Sequence, residues 1–281
     1  MLRSLLFVPA IRPRFIEKAP GAGADAIILD LEDSVPAGEK AAGRAAAPDA
    51  LRTLAAQHPQ VFLRVNGLDT GLLEEDLHAC IGSHMRGISL PKANDAEAVR
   101  QADAYLTLLE RVRGLEAGSV RMLLWIETAQ AVMRVEAVLA ASTRSIAACF
   151  GAEDYTADIG VVRSDDLSEV EWARTRVAVA CHAAGITPLD TPAAEFRDLE
   201  RVRTEAGHAR GLGYRGKHCI HPDQVPVCNT VFGLADSEVR WANRVVEAYE
   251  EGERRGLGAV ALDGAMVDRP VYVRALRLLG R

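Results

Sequence analysis

A chain of 281 residues with 49% hydrophobic content can bury one large core, and an α/β barrel of this length is commonly a single domain. A formal net charge of -6 opposes a general polyanion-binding surface, and no basic run with interleaved aromatics suggests nucleic acid. No run approaches the roughly 20 apolar residues of a membrane span, and Leu5 to Val8 is too short for a signal-peptide core, so a cytoplasmic location is expected.

Short leucine-rich or β-branched runs alternate with Ala-rich helical stretches, the βαβα pattern of a parallel sheet. The strand candidates are Ser4 to Val8, Ala26 to Leu29, Val61 to Val65, Gly87 to Leu90, Met122 to Ile126, Ile146 to Phe150, Ile186 to Leu189 and Tyr214 to Ile220. Eight such units predict a closed (β/α)8 TIM barrel over residues 1–235. Helices are expected over Pro13 to Ala22 and Ala37 to Ala56, from an Asn94 N-cap to about Leu115, and from a Ser168 cap to Ala184.

Residues 236–281 form a short C-terminal extension. A long helix from about Asp236 to Arg255 ends at Gly256-Leu257-Gly258, which reads as a hinge, and Pro270 opens an amphipathic helix behind Asp268. This extension is too small to fold alone and is expected to pack on the barrel or on a neighbouring subunit. The five cysteines form no CxxC pair, and their odd number points to reduced thiols with no disulfide or metal role.

Chemistry gathers where the strand candidates end. Asp30, Glu32, Asp33, Arg64, Asn66, Lys92, Glu127, Asp154, Asp190 and His221 all fall there, at the rim where barrel enzymes carry their active sites. One such residue is readily a solvated loop charge; a ring of them is not. Glu127 and Asp154 follow apolar strands and suit Mg2+, which takes one or two carboxylates and leaves the other positions to water and substrate. The competing reading is two acids placed at helix N-termini, where the dipole favours them. Glu153 is the more structural member of its pair.

Arg64 would present a planar guanidinium to a carboxylate or enolate oxygen, with an ion pair to Glu32 or Asp30 as its structural alternative. Arg12, Arg14 and Lys18 form either a phosphate grip or a solvated helix face. His221 reads as a hydrogen-bonded structural group, because no metal-binding His or Cys spacing accompanies it.

Several stretches together resemble the citrate lyase beta subunit and the malyl-CoA and citramalyl-CoA lyases of the HpcH/HpaI aldolase superfamily. They are Leu6-Phe7-Val8-Pro9 with Arg12-Pro13 and Lys18, Leu29-Asp30-Leu31-Glu32-Asp33-Ser34-Val35, Arg64-Val65-Asn66 and Leu90-Pro91-Lys92. Further along come Ile126-Glu127-Thr128, Gly151-Ala152-Glu153-Asp154-Tyr155, Cys219-Ile220-His221-Pro222 and Gly264-Ala265-Met266-Val267-Asp268. The resemblance implies a TIM barrel with Mg2+ on Glu127 and Asp154, Arg64 on the substrate, and the CoA moiety around Phe7, Arg12 and Lys18. It also implies that Asp268 is an acid/base reaching a neighbouring subunit's site, in a homotrimer or hexamer. One departure touches the thiol carrier: Ala265 stands where the family often has lysine.

The activity expected from this resemblance is reversible cleavage of a 3-hydroxy-3-carboxy acyl-CoA, such as malyl-, citramalyl- or citryl-CoA, to a 2-keto acid and acetyl-CoA. A citrate lyase beta subunit acting on a citryl acyl-carrier protein is the alternative within the same chemistry. A non-catalytic CoA-thioester binding or regulatory protein is the alternative from another class.

Overall fold

Eight parallel strands close in sequence order into a barrel: β1 (Ser4–Pro9), β2 (Ala26–Asp30), β3 (Val61–Arg64), β4 (Gly87–Leu90), β5 (Arg121–Ile126), β6 (Ser145–Phe150), β7 (Thr187–Asp190) and β8 (Gly216–Cys219), with β8 pairing back onto β1. The structure is a computed structural model and describes residues 1–58, 60–82 and 84–281. The (β/α)8 expectation from the alternating pattern is met.

Two cores explain why these strands are apolar on both faces. Successive side chains of a strand point to opposite sides, so Leu5, Ile28, Phe62, Leu123 and Trp125 fill the barrel interior. Their neighbours Leu6, Ile27, Leu29, Leu63 and Leu124 face outward into the layer beneath the helices. The same alternation carries Arg64, Glu127 and Asp30 to the strands' C-terminal ends, where the interior opens.

Two helix starts differ from the expectation. Asp95, not Asn94, caps the helix Ala96–Arg113 by accepting the Ala98 N–H at 3.0 Å. The Asn94 oxygen instead accepts from the Thr128 hydroxyl across the rim. Ser168 is the first residue of Ser168–Ala184, and its amide is satisfied by Asp166 at 3.1 Å. The predicted helix over Ala37 to Ala56 begins as a 3-10 turn, Ala37–Glu39, before the α-helix Lys40–Ala55.

The chain divides into two compact units, Met1–Phe232 and Gly233–Arg281. Within the second, the helix Asp236–Arg254 and the helix Arg269–Leu278 share a small core of Ala242, Val245, Val246, Tyr249, Val267 and Ala275. Gly256, at φ 74°, terminates the first helix. Between the helices lies an antiparallel hairpin of β9 (Val260–Leu262) and β10 (Ala265–Val267), absent from the sequence reading. Its turn is Asp263-Gly264, both at positive φ, the geometry that an Asp-Gly pair favours in two-residue hairpin loops. Among the described residues no helix is long and apolar enough to cross a membrane.

Candidate functional site

A cavity of about 340 Å³ opens at the C-terminal ends of the barrel strands, and Phe7, Asp30, Arg64, Trp125, Glu127 and Asp154 are among its lining residues. Each comes from a different place in the chain. Phe7 lies on β1, Asp30 and Arg64 end β2 and β3, Glu127 follows β5, and Asp154 sits in the first turn of the helix Ala152–Ile159 after β6. Barrel closure brings them together, so four of the seven predicted site residues share one cavity: Phe7, Arg64, Glu127 and Asp154.

The other three are not among its lining residues. Arg12, the residue before the helix Pro13–Lys18, and Lys18, its last residue, are exposed and do not line the cavity. Asp268 belongs to the second unit, where one carboxylate oxygen caps the helix Arg269–Leu278 by accepting the Val271 N–H. Three members of the wider rim set also have structural partners. Asp190 is fully buried between Arg174 and Lys217, Asn66 donates to Asp76, and His221 stacks on Phe196 at 5.2 Å.

Arg64 is heavily engaged. Its Nε and Nη2 donate to the two oxygens of Asp30 at 2.7 Å each, and Nη1 lies 3.0 Å from Glu32 and 3.2 Å from Asp33. A guanidinium has five N–H donors, so one N–H on Nη2 remains for a ligand while these pairs stand. The guanidinium carbon also lies 4.5 Å above the centre of the Phe7 ring, within range of a cation-π attraction. Burial opposes the charge on Asp30, yet Arg64 holds that carboxyl below its ordinary range. Burial pushes Glu32 up to about 7 despite Arg64, with Asp33 adding repulsion.

Glu127 and Asp154 show the opposite condition, with burial and neighbouring acids outweighing the charges of Arg64 and Lys92. Glu127 is 4% exposed, and its Oε1 accepts one hydrogen bond, from the Lys92 amide at 2.7 Å. Burial, then the charge of Asp154, pushes its carboxyl up to about 8. Burial and Asp33 likewise raise Asp154, whose carboxylate receives no hydrogen bond among the described residues. Lys92 delivers its amide from a left-handed backbone at φ 47°, a conformation L side chains rarely adopt. Gly151 keeps space open beside the acid, since a Cβ there would lie 2.5 Å from Glu127 Oε2.

Two acids with free oxygens fit one magnesium ion completed by water and substrate. Among the described residues no group of three or more His, Cys, Asp or Glu side chains is arranged to hold a metal by itself, so a closed all-protein site is not what this geometry offers. Glu153 lines the same cavity but pairs with Arg163 at 2.6 Å, in keeping with the structural part expected of it.

Sequence reading overlooked two features of the site. Trp125 counted only as strand hydrophobicity, although its position two residues before Glu127 places both on the same side of the strand. Gly151 counted only as a strand terminator, and its close approach to Glu127 needs three-dimensional information.

A model of the HpcH/HpaI aldolase/citrate lyase family matches residues 3–222. The chain is similar to the citrate lyase subunit beta of Leuconostoc mesenteroides subsp. cremoris, at 34% identity over 99% of this chain and 92% of that protein. It is equally similar, at 34%, to an L-malyl-CoA/beta-methylmalyl-CoA lyase of Cereibacter sphaeroides, over 95% of this chain and 90% of that one. Among solved structures, CitE of Mycobacterium tuberculosis in complex with magnesium, acetoacetate and coenzyme A superposes with a TM-score of 0.78 at 29% identity, covering 99% of this chain and 96% of that one.

Proposed function

Because the chain belongs to the HpcH/HpaI aldolase/citrate lyase family, we propose that it is a Mg2+-dependent carbon-carbon lyase that cleaves a 3-hydroxy-3-carboxy acyl-CoA to a 2-oxo acid and acetyl-CoA. The observation that carries this reading is the pairing of Glu127 and Asp154, two carboxyls that burial and neighbouring acids push up, with Arg64 in one cavity. Held by Glu127 and Asp154, the metal supplies Lewis-acid polarisation of the oxo-acid oxygens. CoA is taken as the thiol carrier, rather than an acyl-carrier protein, by analogy with the coenzyme A complex of the Mycobacterium protein.

In the cleavage direction the 3-hydroxyl gives up its proton to a water in the open cavity and becomes the carbonyl of the 2-oxo acid, while Asp268 regains from solvent the proton it later delivers. The pair of the breaking C-C bond passes to C2, giving a thioester enolate. Arg64 uses its uncommitted Nη2 N–H on the enolate oxygen, where charge develops. Asp268 then gives a proton to the enolate carbon, completing acetyl-CoA, and removes one there in the reverse direction. In this reading Asp268 acts from a neighbouring subunit of a homotrimer or hexamer, while Arg12 and Lys18 meet the phosphates of CoA.

The test combines turnover with metal binding. Purified protein should cleave at least one of malyl-, citramalyl- and citryl-CoA only with a divalent cation present. Glu127→Gln and Asp154→Asn should each abolish turnover and calorimetric Mg2+ binding while leaving the circular dichroism spectrum unchanged, because each removes an anionic ligand but little volume. Full activity after thorough chelation would overturn the metal assignment.

A further inference from the structure

The three carboxylates that meet Arg64 come from one turn. Asp30 ends β2, and Glu32 and Asp33 follow it at once. Part of this turn holds itself: Asp30 accepts the Glu32 N–H at 2.8 Å and the Ser34 N–H at 3.2 Å, and the Leu31 N–H donates to the Arg64 carbonyl at 2.9 Å. These bonds secure the Asp30 side of the guanidinium. Nη1 depends instead on Glu32 and Asp33, the first half-buried and the second exposed.

The carbonyls of Leu31 and Glu32, adjacent in the chain, converge on a single nitrogen. Lys40 Nζ donates to them at 2.9 and 2.7 Å. Two neighbouring carbonyl dipoles aimed at one point repel each other, and a cation at that point turns the arrangement favourable through charge-assisted hydrogen bonds. Lys40 opens the helix Lys40–Ala55. Gly43, one turn further on, lets that helix lie close to the same turn, since a Cβ there would be 3.3 Å from Val35 and 3.5 Å from Leu31. Only four of the chain's 33 basic residues are lysines, so the cation here is not the chain's usual one. Converging acceptors suit a compact ammonium with rotatable donors better than a planar guanidinium fork.

We propose that Lys40 is a positioning residue for the lyase reaction, pinning the Leu31 and Glu32 carbonyls so that Glu32 and Asp33 stay against Arg64 Nη1 and the free Nη2 N–H stays aimed. Without it the guanidinium is free to rock about its Asp30 pair. Lys40 does not line the cavity, and its effect on the chemistry passes through the turn. This rests on the lyase reading above and deepens it.

The test is a steady-state comparison on the best-cleaved of malyl-, citramalyl- and citryl-CoA with Mg2+. Lys40→Met should lower kcat about tenfold, the scale of a small misplacement of a catalytic group. KM and calorimetric Mg2+ affinity should each stay within about twofold of wild type. In an Arg64→Lys background the same substitution should cost less than about twofold, because the group it positions is already gone. Lys40→Arg should behave like Lys40→Met, since the charge is kept and the converging contact is lost, and it carries the comparison should Lys40→Met fail to fold.

Unchanged kcat, a loss confined to KM, or an equal loss in both backgrounds would overturn the proposal and leave the lyase standing. If wild-type protein cleaves no thioester, the lyase reading fails and nuclear magnetic resonance decides the positioning. The Arg64 Nε–H signal, identified by its loss in Arg64→Lys, should shift or broaden in Lys40→Met; an unmoved signal would overturn the link between Lys40 and Arg64.

Discussion

Arg64 and Asp30 meet edge to edge, Nε and Nη2 each 2.7 Å from a different oxygen of one carboxylate. The planar guanidinium is thereby fixed in orientation over Phe7. Asp30 thus sets the direction of the one N–H that Arg64 has left.

Arg64→Lys keeps the charge and loses this geometry, because an ammonium cannot make two parallel bonds and still present an aimed donor. Turnover should fall by about 10²–10³, the usual scale for deleting one donor to a developing oxyanion. Near wild-type kcat in the lysine variant would reduce Arg64 to a structural ion pair. Asp30→Asn should also lower kcat and reduce the melting temperature, since it leaves a largely buried guanidinium short of a partner.

Gly151→Ala tests the space beside Glu127. The added Cβ would lie 2.5 Å from Oε2 and 2.6 Å from the glutamate's own Cβ, so the acid must turn away and the backbone of one of the two residues must move. Mg2+ affinity measured by calorimetry should drop at least tenfold, and the melting temperature should fall as well, because the contact with the glutamate's Cβ also forces a backbone shift. Unchanged affinity would mean that Glu127 can move without consequence for the metal.

Stability should respond to pH through His218. Burial lowers this imidazole to about 4 from an ordinary value of 6.5, so below pH 6.5 the unfolded chain takes up a proton that the folded chain refuses. Its contribution is intact above pH 6.5 and is lost as pH falls toward 4, reaching about 3 kcal/mol by linkage. Urea titrations from pH 7 to 4 should show that slope, and His218→Gln should flatten it whatever its effect on absolute stability. An equal slope in both proteins would remove His218 as its source.

The proposed intersubunit role of Asp268 has a complementation test. Mixing Asp268→Asn protein with Glu127→Gln protein, under conditions that allow subunit exchange, should restore activity in mixed oligomers. Sites with an intact metal pair then borrow an intact tail. If Asp268 works within its own chain, every subunit is defective and the mixture stays as inactive as its parts.

The barrel was legible because each strand is apolar on both faces and ends abruptly in polar residues, a pattern that Met122 to Ile126 followed by Glu127 displays plainly. Glu127 and Asp154 could be read as neighbours once closure was assumed. Asp190 was misleading for the same reason: it too ends a strand, but Arg174, 16 residues before it, and Lys217, 27 residues after it, bury it in an ion cluster that no local pattern announces. The β9-β10 hairpin was a different kind of miss. Its Asp263-Gly264 signal was present but the flanking runs are only three residues each, too short to show alternation. Trp125 was visible as hydrophobic bulk, while its place in the cavity depends on Phe7 of β1 and His218 of β8, whose rings lie 5.9 and 4.5 Å from it.

Lys92 shows what a stability screen would discard. Its backbone at φ 47° costs a side-chain-bearing residue on the order of 1 kcal/mol relative to glycine. Variants enriched for thermostability alone should therefore accumulate glycine at this position, keeping the amide that holds Glu127 and losing the ammonium at the rim. Enrichment for turnover should retain the lysine if that ammonium serves the reaction. Sequencing the two populations at this single codon would separate the demands of the fold from those of the chemistry.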